Sequence, residues 1–215
     1  DPGEAKAANG TWLIAGFDAL AAELPTAITL DATTDPSSWR QAFADTVERG
    51  IPVAGIVWRS SARPSGDESA AALAARTEAE AASLLGAVQT ALAQEKTNLP
   101  GGLWIVTERA VATEPGEPVD PVQAALWGFG RTLLAEQPTL RCRLVDTDGT
   151  EQSAGWLAGA LGTAVVEPEL AVRQGKFLVP RLLHWARSGR LPMPRSDDYV
   201  LAPTERGAID NLCLT

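Results

Sequence analysis

Short apolar runs of strand length alternate with helical segments along most of the chain, and this alternation constrains the fold more than any other feature. Residues 51–60 (IPVAGIVWRS) and 101–110 (GGLWIVTERA) are almost continuously apolar. Such runs are typical of central strands that helices cover on both faces, whereas a half-exposed antiparallel strand alternates apolar with polar residues. Strands that alternate with helices predict a mostly parallel sheet with right-handed crossovers.

The remaining pattern completes this layout. Strands are predicted at residues 11–16, 27–32 and 141–149, and the longest helix is predicted at residues 67–96 with one apolar stripe. The end of the pattern differs, because Gln174-Gly175 separates two alternating runs and indicates a β-hairpin. The sequence therefore predicts a doubly wound α/β domain that ends in a hairpin. The stripe of the longest helix comprises Leu73, Ala81, Leu84, Leu85, Val88 and Leu92.

The turn after the first strand lacks the glycine pattern of a dinucleotide-binding site. In such a site the turn is rich in glycine, because only glycine lets the backbone approach a pyrophosphate at the helix N-terminus. Here Gly16 is followed by Phe17 and Asp18, which add bulk and a negative charge. Steric hindrance and Coulomb repulsion therefore disfavour dinucleotide binding at this turn.

No other motif supplies the missing chemistry. The stretch Gly128-Phe129-Gly130-Arg131 lies in a helical segment, and we interpret its glycines as a means of close helix packing. A short-chain reductase needs a tyrosine with a lysine one helical turn later, but the single tyrosine, Tyr199, has Pro203 at that spacing. The stretch Asp146-Thr147-Asp148-Gly149 lacks the ligand spacing of a calcium loop and predicts a strand-end turn. We therefore expect no catalytic, cofactor-binding or metal-binding residue in the chain.

Charge, cysteine content and hydropathy exclude further classes of protein. The net charge of −9 argues against a nucleic-acid-binding surface, which is usually basic. Cys142 and Cys213 form no CxxC pair and lie near no histidine cluster, so a disulfide scaffold or a zinc site is disfavoured. Because no apolar stretch is long enough to span a bilayer, we expect a cytoplasmic protein. Core packing is expected to account for most of the seven tryptophans.

Three segments together resemble a known family. Residues 125–149 (ALWGFGRTLLAEQPTLRCRLVDTDG) resemble the signature of the structural subdomain of ketoreductases in modular type I polyketide synthases. The hairpin ELAVRQGKFLVPRL (residues 169–182) and the early strand TWLIAG (residues 11–16) are similar to that family as well. The resemblance covers about residues 11–185, and its central motif is long and specific.

The resemblance implies a division of labour within a larger enzyme. In that family the structural subdomain is a truncated Rossmann-like (short-chain dehydrogenase-like) domain, and a separate catalytic subdomain carries the NADPH loop and the active-site residues. The resemblance implies a linker at residues 1–10, the structural subdomain at 11–185, and a linker into an enoylreductase domain at 186–215. The last assignment depends on TERGAIDNLCLT (residues 204–215), which resembles the opening strand of such an enoylreductase. No cofactor is expected on this chain, whereas the reductase domains of the parent enzyme use NADPH.

The expected partners are the catalytic ketoreductase subdomain and the neighbouring enoylreductase and dehydratase domains. Phe177 and Leu178 in the final hairpin, followed by His184 and Trp185, are the candidate residues for this interdomain contact, because an exposed indole suits a partner domain. Two alternatives remain open, a divergent self-sufficient nucleotide-dependent reductase and an interaction module that docks a carrier protein or a neighbouring domain. NADPH binding to the isolated chain would favour the first, and binding of an acyl carrier protein would favour the second.

Overall fold

The computed structural model describes residues 10–31, 36–61, 68–93, 99–150, 152–162, 167–182, 198, 200–203 and 212–214. Its elements follow the predicted alternation of strand and helix. In chain order they are β1 (Thr11–Ala15), α1 (Asp18–Glu23), β2 (Ala27–Leu30), α2 (Pro36–Glu48), β3 (Val53–Arg59), α3 (Ala70–Ala93), β4 (Gly102–Glu108), α4 (Pro121–Glu136), β5 (Arg143–Thr147), α5 (Gln152–Leu161), β6 (Glu169–Arg173), β7 (Lys176–Leu178), β8 (Leu201–Pro203) and β9 (Leu212–Leu214).

Seven strands form one sheet in the order β2-β1-β3-β4-β5-β6-β7. The first six are parallel to one another, and β7 pairs with β6 in the antiparallel direction. The strand order reverses between β1 and β3, as it does in dinucleotide-binding folds, where two strands lie beyond the first strand. Here only β2 lies on that side. The predicted truncated, mostly parallel Rossmann-like sheet is confirmed.

Helices cover both faces of this sheet, as the continuous apolar runs predicted. Along β3, Ile56 and Trp58 face a core shared with α2, α3 and α4, whereas Ala54 and Val57 face a second core shared with α1 and α5. All four side chains are fully buried. Truncating a large side chain at such a position typically costs about 2–5 kcal/mol, because the cavity only partly closes. The apolar runs therefore supply the packing that holds the sheet between its two helical layers.

Of the predicted stripe on the longest helix, Leu84 and Val88 are buried, Leu85 is 41% exposed, and the other three residues are partly buried. The buried face of α3 instead runs through Leu84, Ala87, Val88 and Ala91. Ala87 and Val88 each lie three or four residues from both Leu84 and Ala91, so all four share one side of the helix. Leu85 lies about 100° around the helix axis from Leu84 and therefore leaves that face.

The predicted hairpin forms at the end of the sheet. Gln174 and Gly175 both adopt positive φ angles, 49° and 75°, which is the type I′ geometry favoured by two-residue β-hairpins. The turn joins Arg173 to Lys176, which are paired across the ladder. Gly175 is required twice over, because its φ suits glycine and because a Cβ there would collide with the indole ring of Trp156.

Among the tryptophans that the structure describes, all but one follow the prediction. Trp12, Trp39, Trp58, Trp104 and Trp127 are buried. Trp156 on α5 is 46% exposed, although its helical position suggested core packing. The reason is that Leu157, the next residue, is the one that faces the core between α1 and α5.

The chain divides into two compact units, Asp1–Pro180 and Arg181–Thr215. Within the second unit, β8 and β9 form an antiparallel two-stranded sheet that pairs Leu201 with Leu214. Within the described ranges, no helix is both long and apolar enough to cross a membrane.

Candidate functional site

In an open α/β sheet, ligands bind at the carboxyl ends of the strands where the strand order reverses. In this sheet that place lies above the ends of β1 and β3. The chain leaves β1 through Gly16, which has a φ of 72°, and enters α1, which is only six residues long. Asp18 occupies the first turn of α1, where it would repel a phosphate.

Side chains fill this crevice. Phe17 is buried, and the guanidinium carbon of Arg59 lies 4.7 Å from the centroid of its ring, within cation–π range. Arg59 is the last residue of β3, and its Nη2 lies 3.4 Å from Oε2 of Glu108, the last residue of β4. We call Phe17, Arg59 and Glu108 the crevice cluster. It lies at the carboxyl ends of β1, β3 and β4, the edge of the sheet at which this class of fold binds dinucleotides.

The neighbouring turn after β5 closes against the same cluster. Gly149 has a φ of 74°, and a Cβ at this position would collide with the Glu108 carboxylate. The backbone N–H of Glu108 donates to Oε1 of Gln123, a fully buried residue of α4, over 3.3 Å. Glu108 is therefore held from its backbone and from its side chain, so the cluster is part of the packed structure.

A second polar cluster, which the sequence reasoning missed, ties the loop between β4 and α4 to the sheet. Asp146 is fully buried, and its Oδ1 accepts hydrogen bonds from the Thr107 hydroxyl and from the backbone N–H of Ala110, both over 2.7 Å. Its Oδ2 accepts from Nη2 of Arg173 over 2.6 Å. The sequence feature that could have indicated this cluster is an aspartate inside an otherwise apolar strand.

Arg173 extends this cluster to the far side of the loop. Its Nε donates to Oε1 of Glu117 over 2.6 Å, and its Nη2 donates to the backbone oxygen of Val111 over 2.9 Å. The backbone N–H of Thr113 and then Arg173 stabilise the Glu117 carboxylate and lower its pKa to about 2. Asp146 and Glu117 are thus both paired with Arg173, so we interpret the cluster as a structural ion-pair network.

The strand-end turn predicted at residues 146–149 is present, and Asp148 organises it. Its carboxylate accepts from the Thr150 N–H over 3.2 Å, from the Ser153 hydroxyl over 2.8 Å and from the Gln174 N–H over 2.9 Å. Burial raises the pKa of Asp148, but these hydrogen bonds outweigh it and lower the pKa to about 2. Through Gln174, Asp148 also fixes the turn of the β6–β7 hairpin.

A group of exposed apolar side chains lies along that hairpin and the adjoining helix α5. Its members are Trp156, Phe177, Leu178 and Val179, whose side chains are between 36% and 46% exposed. The rings of Trp156 and Phe177 meet edge to face, with centroids 6.5 Å apart and planes at 86°. We call these four residues the hairpin ridge. Two of the predicted contact residues, Phe177 and Leu178, belong to it, whereas His184 and Trp185 lie outside the described residues, as does Tyr199.

The helical Gly128-Phe129-Gly130-Arg131 stretch serves packing, as interpreted, but only through one glycine. A Cβ on Gly130 would collide with the Leu144 side chain of β5, whereas Gly128 faces open space. Arg131 makes two parallel hydrogen bonds with the Glu169 carboxylate, of 3.0 and 2.8 Å, and its guanidinium lies 5.5 Å from the Trp127 ring centroid. Its charge is therefore matched by a carboxylate of β6.

The cysteines and acidic residues point to no metal or nucleophilic site. Cys142 precedes β5, one residue outside the strand in which it was predicted, and burial raises the pKa of its thiol to about 12. A thiol with so high a pKa is a poor nucleophile. Among the residues that the structure describes, no group of three or more His, Cys, Asp or Glu side chains could hold a metal ion.

The fold and this site define a Rossmann-like α/β domain, and comparison with solved structures supports that class. The chain is similar to a C2-type ketoreductase from a modular polyketide synthase, with a TM-score of 0.65 and 24% identity, over 85% of this chain and 42% of the other. It is also similar to A-type ketoreductases from a modular polyketide synthase, with a TM-score of 0.61 and 27% identity, over 89% of this chain and 42% of the other.

Sequence relatives identify the family. The model of the Rossmann fold domain of the polyketide synthase extender module SpnB matches residues 6–182, and the chain belongs to this family. The spectinabilin polyketide synthase protein NorB of Streptomyces orinoci is 41% identical over 114 residues, which are 52% of this chain. The polyketide synthase GfsB of Streptomyces halstedii is 41% identical over 126 residues. The matches span only 5% and 2% of these two relatives.

Proposed function

We propose that this chain is the non-catalytic structural half of a ketoreductase, which packs against the catalytic ketoreductase subdomain of a fully reducing polyketide synthase module and stabilises it. The observation that carries the proposal is the crevice cluster. Phe17, Arg59 and Glu108 contact one another at the strand ends where this class of fold binds dinucleotides, and Asp18 adds a negative charge in the first turn of α1. In the proposed role, this Rossmann-like domain keeps its fold in order to pack against a partner and does not bind a cofactor.

The length of the related ketoreductases supports a partner in the same polypeptide. The chain spans under half of the two solved ketoreductases, 42% of each. The rest of such a polypeptide is long enough for a second domain of similar size. In the proposed arrangement that second domain carries the NADPH loop and the catalytic residues, and the reductase domains of the parent use NADPH for reduction of carrier-bound acyl chains.

The hairpin ridge is the proposed contact surface for the catalytic subdomain. Large apolar side chains on a solvent-exposed surface mark interaction sites when they cluster, and aromatic residues commonly anchor them. The turn beneath the ridge is fixed by Asp148 and by the close approach of Gly175 to Trp156. A surface that is already ordered loses little conformational entropy on binding. We propose that His184 and Trp185 extend this contact beyond Phe177 and Leu178.

The proposed module continues on both sides of this domain. Residues 1–10 are proposed to link it to a preceding dehydratase domain, residues 11–185 to form the structural subdomain, and residues 186–215 to lead into an enoylreductase domain. The whole module is proposed to act in the cytoplasm. The β8–β9 pair is consistent with the start of another domain, because an isolated two-stranded sheet is marginally stable and needs further strands.

The experiment that tests the proposed function measures whether this chain stabilises the catalytic half. The catalytic subdomain of the same module is produced alone, together with this chain, and joined to it. We expect the catalytic half to be poorly soluble alone and to gain a cooperative melting transition and ketoreductase activity in the presence of this chain. A catalytic half with the same melting temperature and activity in all three forms would refute the proposal.

A further inference from the structure

The hairpin ridge lies at one edge of the sheet, where β7 pairs only with β6 among the residues that the structure describes. This pairing shows which backbone groups of β7 point away from the sheet. In the ladder, Arg173 pairs with Lys176, Val172 with Phe177, and Ala171 with Leu178. The residues that flank a two-residue turn exchange both hydrogen bonds, and such pairs alternate with pairs that exchange none. The N–H and C=O of Phe177 therefore point away from β6.

Apolar side chains stand on both faces of this edge. Phe177 lies on the face of α5, where its ring meets Trp156. Leu178 lies on the opposite face, because side chains alternate along a strand. Both are about 40% exposed. A helix laid on the sheet would cover only one of these faces, whereas a strand added beside β7 would cover both and would pair with the Phe177 backbone.

We propose that β7 accepts a strand of the catalytic ketoreductase subdomain as an eighth strand of this sheet, an inference that rests on the proposed function. The occupant is a strand of the same polypeptide. The edge strand is only three residues long, so the contact offers few hydrogen bonds and four ridge side chains. Because each of these side chains is less than half exposed, the apolar area they offer is well below the roughly 800 Å² per partner of a stable association between separate molecules.

Tethering makes so small a contact sufficient. When two domains are covalently linked, the effective concentration of one near the other reaches about the millimolar range, so a weak contact is populated. A second, untethered copy of the chain would gain the same few hydrogen bonds without this advantage. The size of the edge therefore selects a linked strand over a second copy.

The test uses the polypeptide that joins this chain to its catalytic half, and it separates the backbone from the side chains. Val179 follows the last residue of β7, and in extended backbone its N–H would lie on the same side as that of Phe177. Val179→Pro removes this donor, and Val179→Ala is the matched control, which trims the side chain and keeps the N–H. In the isolated chain both variants should have the same melting temperature, because neither removes a hydrogen bond to β6.

Hydrogen exchange gives the direct readout. We expect the Phe177 amide to exchange at least about tenfold more slowly in the joined polypeptide than in the isolated chain. Val179→Ala trims a ridge side chain and should keep part of this protection, whereas Val179→Pro should abolish it and lower the melting temperature of the joined form further than Val179→Ala does. If the chain stabilises the catalytic half but Phe177 exchanges at one rate in both forms, strand addition is wrong and the proposed function stands. If the chain does not stabilise the catalytic half, both are wrong. Protection that grows with the concentration of the isolated chain would instead assign the edge to a second copy.

Discussion

A comparison of two leucines tests whether the hairpin ridge binds the catalytic subdomain. Leu178 on the ridge and Leu85 on α3 are 39% and 41% exposed. Replacing either with aspartate removes the same apolar surface and adds the same charge. In the isolated chain, Leu178→Asp and Leu85→Asp should therefore have similar, small effects on stability. Only Leu178→Asp should weaken the contact with the catalytic subdomain.

The size of the expected effect follows from the exposed surface of Leu178. Burying a whole leucine side chain contributes about 1.5–3 kcal/mol, so covering the exposed 39% of it contributes about 1 kcal/mol. A carboxylate at the same place must also lose part of its hydration without a partner, which adds about 2 kcal/mol when the site is half covered. A total of about 3 kcal/mol corresponds to roughly a hundredfold weaker association.

Urea titration of the polypeptide that joins this chain to its catalytic half measures this difference, because a contact formed in the folded state adds to the free energy of unfolding. Leu178→Asp should lower that free energy by more in the joined polypeptide than in the isolated chain, whereas Leu85→Asp should have the same effect in both, since its surface lies outside the ridge. Equal losses for the two aspartate variants in the joined polypeptide would contradict the assignment of the ridge as the contact surface. An extra loss for Leu85→Asp alone would move the contact to the α3 surface.

Three further predictions concern the structure beneath the ridge. Asp146→Ala removes one of the two carboxylates that pair with Arg173 and leaves the Thr107 hydroxyl and the Ala110 N–H without their acceptor. It should lower the free energy of unfolding by about 3–5 kcal/mol in urea titrations, whereas Glu169→Gln in the exposed Arg131 pair should cost less than about 1 kcal/mol; similar losses would contradict the structural role of Asp146. Gly175→Ala should lower the melting temperature more than Gly116→Ala, because both glycines have positive φ but only Gly175 touches Trp156; equal shifts would show that this contact contributes nothing. The pKa of Asp148 is held at about 2, below its ordinary value, so the stability it contributes is present at neutral pH and is lost as the pH falls from about 4 to about 2. Asp148→Asn should therefore reduce the loss of stability between these two pH values, and an unchanged loss would refute the assignment.

The strands and the hairpin could be predicted from local sequence because their signals are local. Residues 51–60 and 101–110 are apolar throughout because β3 and β4 are covered on both faces. The Gln174-Gly175 turn is specified by two adjacent residues whose backbone conformations suit a type I′ turn. Such patterns require no knowledge of what lies across the fold.

The polar clusters could not be predicted, because their members are distant in sequence. Asp146 meets Arg173 across 27 positions, and Arg59 meets Glu108 across 49 positions. Only the parallel sheet brings these strand ends together. The lack of a glycine-rich pattern after β1 was visible in the sequence, but the contact between Phe17 and Arg59 becomes visible only in the fold. The exposure of Trp156 was missed for the same reason, since it depends on which side of α5 faces the sheet.

NADPH titration tests whether this chain has a Rossmann-like fold without a cofactor site. The tryptophan fluorescence of the isolated chain and of the polypeptide that joins it to the catalytic half is followed as NADPH is added, with thermal melting as an independent readout. We expect one saturable site in the joined polypeptide, and neither saturable quenching nor a rise in melting temperature for the isolated chain. Saturable NADPH binding to the isolated chain, weakened by a substitution in the crevice cluster such as Arg59→Ala, would contradict it.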